Sequence, residues 1–159
     1  KYFRENFGLP DLPRKIDEQI AEVRRFLNVS TLTMFKRRDM AVSFRSATGE
    51  LSESNIIKAN TMVQIATNIA LKTKAPRFNK SIFEEAINYA LTLTRNHSTF
   101  YPLIKESFAK AGVIFVILPN IQGSKINGAT KKVGNNIMLM VNDRRLHSDT
   151  FWFTLFHEK

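Results

Sequence analysis

The residues best suited to do chemistry close the chain, where the run Phe151-Trp152-Phe153-Thr154-Leu155-Phe156 leads into His157-Glu158-Lys159. Two histidines four apart on a helix share one face and can hold a single zinc ion. A glutamate beside the first can then take a proton from the metal-bound water, which is the logic of the H-E-x-x-H arrangement. His157 and Glu158 occupy its first two positions, and the sequence stops at Lys159, before the position of the second histidine. A bare His-Glu pair also suits an ordinary helix end, so the pair needs context. The chain has no cysteine, so a metal would have to be held by histidine and carboxylate alone. His97 and His147 stand in polar, turn-like surroundings without ligand spacing and read as surface residues.

The context comes from a longer segment. From Asp143-Arg144-Arg145-Leu146-His147-Ser148-Asp149-Thr150 through Phe153-Thr154-Leu155-Phe156-His157-Glu158, the chain resembles the approach to the active site in the ImmA/IrrE family of metallopeptidases. Upstream, Ala111-Gly112-Val113 with the apolar run to Leu118-Pro119, and then Ile126-Asn127-Gly128-Ala129-Thr130, match further family stretches in the same order. The resemblance is firm from about Phe100 onward. Val42-Ser43-Phe44-Arg45 and the long helix after it look like the linker in members that carry an amino-terminal helix-turn-helix of the XRE type. The resemblance implies that such a module would precede Lys1, and that a further acidic metal ligand would follow Lys159. It also implies His157 as a zinc ligand, Glu158 as the catalytic base, and a protein substrate such as a repressor. DNA contact would come through the amino-terminal module, and a homodimer and a cytoplasmic setting are compatible with it. With one ligand present, this chain is expected to bind no zinc by itself, because catalytic zinc sites use three protein ligands.

Composition narrows the alternatives. At 159 residues with 43% apolar content, the chain can bury a core for one domain or one and a fraction. No run approaches the roughly 20 apolar residues of a membrane-spanning helix, so no membrane partner is expected. The formal net charge of +10 favours a polyanionic or acidic partner, with local concentrations at Lys36-Arg37-Arg38, from Lys72 to Lys80, and at Lys131-Lys132.

Several elements must position the His-Glu pair. Residues 1–12 read as an irregular lead-in, and Ile16, Ile20, Val23 and Leu27 recur at helical spacing over 13–27, ended by Asn28-Val29-Ser30. A short turn or helix over 31–38 and a linker over 39–50 follow. Ser52 can cap a helix over 53–73 whose stripe is Ile56, Ala59, Met62, Val63, Ala66, Ile69 and Ala70. Asn79 can cap a helix over 80–95 that buries Ile82, Phe83, Ala86, Ile87, Ala90 and Leu91. Ser98 opens another, which uses Phe100, Leu103, Ile104 and Phe108 and stops at Gly112.

Strands are expected over 113–118, 126–130 and 136–141. Gly134-Asn135 would form the turn, with Lys131-Lys132 at the hairpin tip and Gly128 at a tight bend. The sequence therefore predicts an α+β fold: a helical amino-terminal part, then a small β-sheet packed by a zincin-like active-site helix. Residues 1–50 would form a helical linker region and 51–159 a partial metallopeptidase domain. Because 113–118 is apolar on both faces, the helices over 53–111 are expected to cover one side and Trp152, Phe153 and Phe156 the other. Asn136 to Val141 is favoured as an exposed edge able to bind substrate as an added strand, with a wholly internal strand as the alternative. Two functions remain open: a zinc endopeptidase, or a non-proteolytic sensor and dimerisation module of an antitoxin-like DNA-binding regulator.

Overall fold

The computed structural model describes residues 2–9, 15–32, 35, 43–46, 52–92, 100–122 and 126–143. In chain order the elements are α1 (Tyr2–Phe7), α2 (Ile16–Leu27), β1 (Ser43–Ser46), α3 (Glu53–Lys72), α4 (Lys80–Thr92), α5 (Phe100–Lys110), β2 (Val113–Leu118), β3 (Ile126–Val133) and β4 (Asn136–Asn142). The class is α+β, with the helices leading and the sheet following. The segment expected to form the terminal helix, with Trp152, Phe153 and Phe156, lies outside the described residues.

The sheet runs in the order β1-β3-β4-β2. β4 pairs parallel with β2 and antiparallel with β3, and β3 pairs antiparallel with β1. β4 is thus an inner strand. The expectation that 136–141 forms an exposed edge is overturned, because the Gly134-Asn135 turn folds β4 back between β3 and β2. Its burial agrees: every residue from Met138 to Asn142 is buried, as a strand with neighbours on both sides requires.

Period-two alternation sends side chains to two separate cores. Ile114, Val116 and Leu118 of β2, Ala129 and Val133 of β3, and Met138 and Met140 of β4 pack with α3. Val113 and Phe115 of β2 and Leu139 and Val141 of β4 pack with Phe83, Ala86, Ile87 and Ala90 of α4 and with Ile104 and Phe108 of α5. Phe108 joins the second core through edge-on contacts with Phe83 and Phe115 at 5.1 and 5.9 Å between ring centroids. The helices over 53–111 therefore divide between the two faces of β2, and α4 and α5 provide the second cover that the sequence reading gave to the terminal aromatics.

Helix α3 starts at a capping box in which Asn55 N–H donates to the Ser52 hydroxyl and Ser52 N–H to the Asn55 amide oxygen. It lies between the sheet and α2, which explains why Asn60, Gln64 and Thr67 are buried along with its apolar stripe. Its amides bind backbone carbonyls: Asn60 Nδ2 donates to Phe35 O at 2.7 Å, and Gln64 Nε2 and Asn68 Nδ2 both donate to Leu27 O, at 3.2 and 2.9 Å. Leu27 ends α2, whose left-handed C-cap is Asn28, so side chains of α3 satisfy a carbonyl that the helix leaves without an internal partner.

Other expectations need correction. The lead-in contains α1, in which Tyr2 packs edge-on against Phe3 and Phe7, and Phe3 and Phe7 both pack against Phe26. The α2 stripe is buried only toward its carboxyl end, since Ile16 is 71% exposed and Leu27 1%. Ile82 and Leu91 of α4 are 40% and 49% exposed, and Ile69 of α3 is also exposed, because each lies at the flank of its packed face. Part of the 39–50 linker is strand β1. β3 continues to Val133, so Lys131 lies inside the strand and half-buried, and the tip is Gly134-Asn135 alone. Gly128 sits within β3 opposite Arg45 and Val141. The β1 register slips beside it, so it serves a bulge instead of a turn.

Candidate functional site

The segment that carries His157 and Glu158 follows β4 in the chain. Both residues, with Arg144, Arg145 and His147, lie outside the described residues; what the structure gives is the end of the sheet from which that segment departs. In open sheets that contain parallel strands, functional groups gather at the carboxyl ends of those strands. Here the parallel pair β2 and β4 ends in Leu118-Pro119-Asn120 and Asn142-Asp143.

These ends are held together by polar contacts. Asn142 is 2% exposed, and its Nδ2 donates to the Asn120 amide oxygen. Asn120 N–H donates to the Asp143 carboxylate at 3.0 Å. The Tyr2 hydroxyl donates to the carbonyl of Pro119, which places α1 beside the same strand ends. Burial, and secondarily the negative charge of Asp143, push the Tyr2 hydroxyl from 10.0 up to about 12. Two links follow. The apolar runs of β2 and β4 stop at residues whose side chains bind one another, and that mutual binding fixes the position of Asp143, the last described residue before the segment that carries His157.

Among the described residues, no cluster of three His, Cys, Asp or Glu side chains could hold a metal ion. The contribution of this region is positional: a carboxylate, two amides and a phenol with a raised pKa set the exit of β4. The sequence reading did not single out Tyr2, Asn120 or Asn142, and it quoted Asp143 without a role. Asn120 and Asn142 were detectable as polar breaks after apolar strands. Tyr2 was not, because its partner is 117 residues away.

The sheet edges have different surroundings. β1 borders β3, while the outer side of β2 faces a groove of about 490 Å³ lined by Ile69 of α3, by Thr73 just after it, and by Tyr101, Pro102 and Lys105 of α5. Burial also raises the Tyr101 hydroxyl to about 12. With β4 internal, any added strand would have to use an edge other than the one expected from the sequence.

Compared with protein-family models, with curated proteins and with solved structures, the chain matches none.

Proposed function

We propose that this chain is most of the amino-terminal half of a zinc-dependent endopeptidase domain of the ImmA/IrrE kind, acting on a regulatory protein such as a repressor. The observation that carries the reading is the placement of β4. This buried inner strand runs directly, through the anchored pair Asn142-Asp143, into the segment that ends in His157-Glu158. A base and a metal ligand work only when held within a fraction of an ångström of their reacting partners, and a central strand is the most rigid base the fold offers. The order of the motifs around the sheet supports the same reading: Ala111-Gly112-Val113 opens β2, Ile126 to Thr130 forms the first half of β3, and Asp143 closes β4.

Zinc, when bound, would supply a polarised water. In this chain His157 would be one of its ligands, and Glu158 would accept the proton and pass it to the leaving amine. Reading the encoding sequence past Lys159 is the first test, and a histidine four residues after His157 is the expected result. In the protein carrying that continuation, His157→Ala should lose zinc and activity together, whereas Glu158→Gln should keep zinc and lose turnover. Absence of the second histidine, or a Glu158→Gln variant with undiminished proteolysis, would overturn the reading and favour a sensor and dimerisation module.

A further inference from the structure

The end of the sheet opposite Asp143 has a different character. The segment from Lys72 to Lys80 crosses it: Phe78 N–H donates to Asn135 O, Asn79 N–H to Ala111 O, and Asn136 Nδ2 to Pro76 O. These bonds place the segment against the β3–β4 turn and against the Ala111-Gly112 junction of α5 with β2. Lys72, Lys74, Arg77 and Lys80 on the segment, Lys132 beside the turn and Lys110 at the end of α5 are all exposed and share this one end. No acidic residue lies between Glu53 and Glu84, and none lies in β3 or β4. Among the described residues, the carboxylates on the helices that flank this end are Glu84 and Glu85 on α4 and Glu106 on α5, and Glu106 pairs with Lys110 at 3.8 Å.

We propose that this end of the sheet is a docking surface for the phosphate backbone of double-stranded DNA. A surface on which cations outnumber acids binds polyanions by releasing their counterions, and it does so independently of base sequence. Lys74, Arg77 and Lys80 are three residues apart in a stretch that is non-helical up to Lys80, so they span at most about 20 Å. With the length of their own side chains added, that span is compatible with contacts to phosphates on both walls of the roughly 12 Å major groove. Exposed Asn79 and Asn135 add neutral donors of the kind that position a duplex. A single strand fits less well, because stacking on bases needs free aromatic rings. Phe78, the ring within the segment, is half-buried and packed edge-on against Phe83 at 6.0 Å.

The test is binding of a fluorescently labelled random duplex of about 20 base pairs, followed by anisotropy over a range of salt concentrations. With about four phosphates neutralised, the logarithm of affinity should fall against the logarithm of salt with a slope of roughly −3 to −4. The triple variant Lys74→Ala, Arg77→Ala, Lys80→Ala should reduce that slope by about 3 while keeping the far-ultraviolet circular dichroism of the parent. Arg24→Ala with Arg25→Ala, a basic pair on α2 in which Arg25 is bound to Glu22 at 2.9 Å, should leave affinity within about twofold. Four results would overturn the proposal: no binding at about 50 mM salt, full affinity in the triple variant, an equal loss in the α2 variant, or displacement of the duplex by polyglutamate of matched charge as effectively as by unlabelled DNA. The last would identify an acidic protein surface as the partner.

Discussion

Asn120 N–H donates to the carboxylate of Asp143 at 3.0 Å, so the backbone that leaves β2 is bound by the side chain that follows β4. The same carboxylate raises the pKa of Tyr2, and the two effects can be separated. Asp143→Asn keeps an acceptor oxygen and removes the charge, so it should lower the Tyr2 titration midpoint while leaving it above 10.0, because burial is the larger cause. Asp143→Ala removes both. Since Asp143 is exposed, the stability cost of that change should be modest, about 0.5–1.5 kcal/mol. Phenolate absorbance during an alkaline titration, with Tyr2→Phe to assign the transition, reads the shift. An unmoved midpoint in Asp143→Asn would refute the electrostatic coupling.

Stability should also fall at high pH, in a defined window. Tyr2 and Tyr101 both hold their protons more tightly in the fold than in the unfolded chain, each raised from 10.0 to about 12. Their contribution is therefore complete below about pH 10 and is lost as pH rises toward 12, where the unfolded chain ionises first. Lys131 acts in the opposite sense: burial lowers its pKa from 10.5, so its unfavourable contribution shrinks as pH rises toward that value. Its only described polar contact is a 3.4 Å bond to the Thr67 hydroxyl. Denaturant midpoints measured across this range should decline above pH 10 in the parent and decline less in Tyr2→Phe. A midpoint that rises continuously to pH 12 would contradict this.

Two glycines with left-handed backbones should respond very differently to alanine. Gly112 has φ +79°, and a Cβ there would stand 2.5 Å from Phe78 N and 2.6 Å from Pro76 O, so the clash is with backbone. Gly134 has φ +59° and open space around it. Gly134→Ala should cost about 1–2 kcal/mol, the penalty for the left-handed conformation alone. Gly112→Ala should cost roughly 3–5 kcal/mol or prevent folding, because the segment over 76–79 must also shift. Equal unfolding midpoints for the two variants would show that the close approach of Pro76 and Phe78 is absent in solution.

Local patterns were legible in the sequence wherever a single element determines its own character. The stripe from Ile56 to Ala70 apart from exposed Ile69, the Ser52 and Asn79 caps, and the unbroken apolar run Val113 to Leu118 each occur where their residues indicate. Strand order was not legible, because nothing in Asn136 to Val141 records whether β2 or solvent lies at its side. β1 was missed for a related reason. Ser43-Phe44-Arg45-Ser46 is short and polar at every position but Phe44, and its partner is the strand from Ile126 to Val133, far along the chain. The polar lock at Asn120, Asn142 and Tyr2 depends on the same long-range pairing, whereas His157 and Glu158 drew notice only through the resemblance of the sequence around them, and both lie outside the described residues.

The amides of α3 allow a sharper test of how α2 is held. Gln64 and Asn68 donate to the same carbonyl of Leu27, and they also bond to each other, with Gln64 Nε2 to Asn68 Oδ1 at 3.1 Å. Removing either side chain leaves Leu27 O with one donor, so each of Gln64→Ala and Asn68→Ala should cost only about 0.5–1.5 kcal/mol. Removing both strips a carbonyl at the buried end of α2 of its donors from α3. The double variant should then lose about 1 kcal/mol more than the sum of the singles. Urea unfolding of the four proteins gives this coupling directly. Strict additivity would mean that water replaces the amides at Leu27 without penalty, and that the apolar contacts of Val23, Phe26 and Leu27 alone hold α2 on α3.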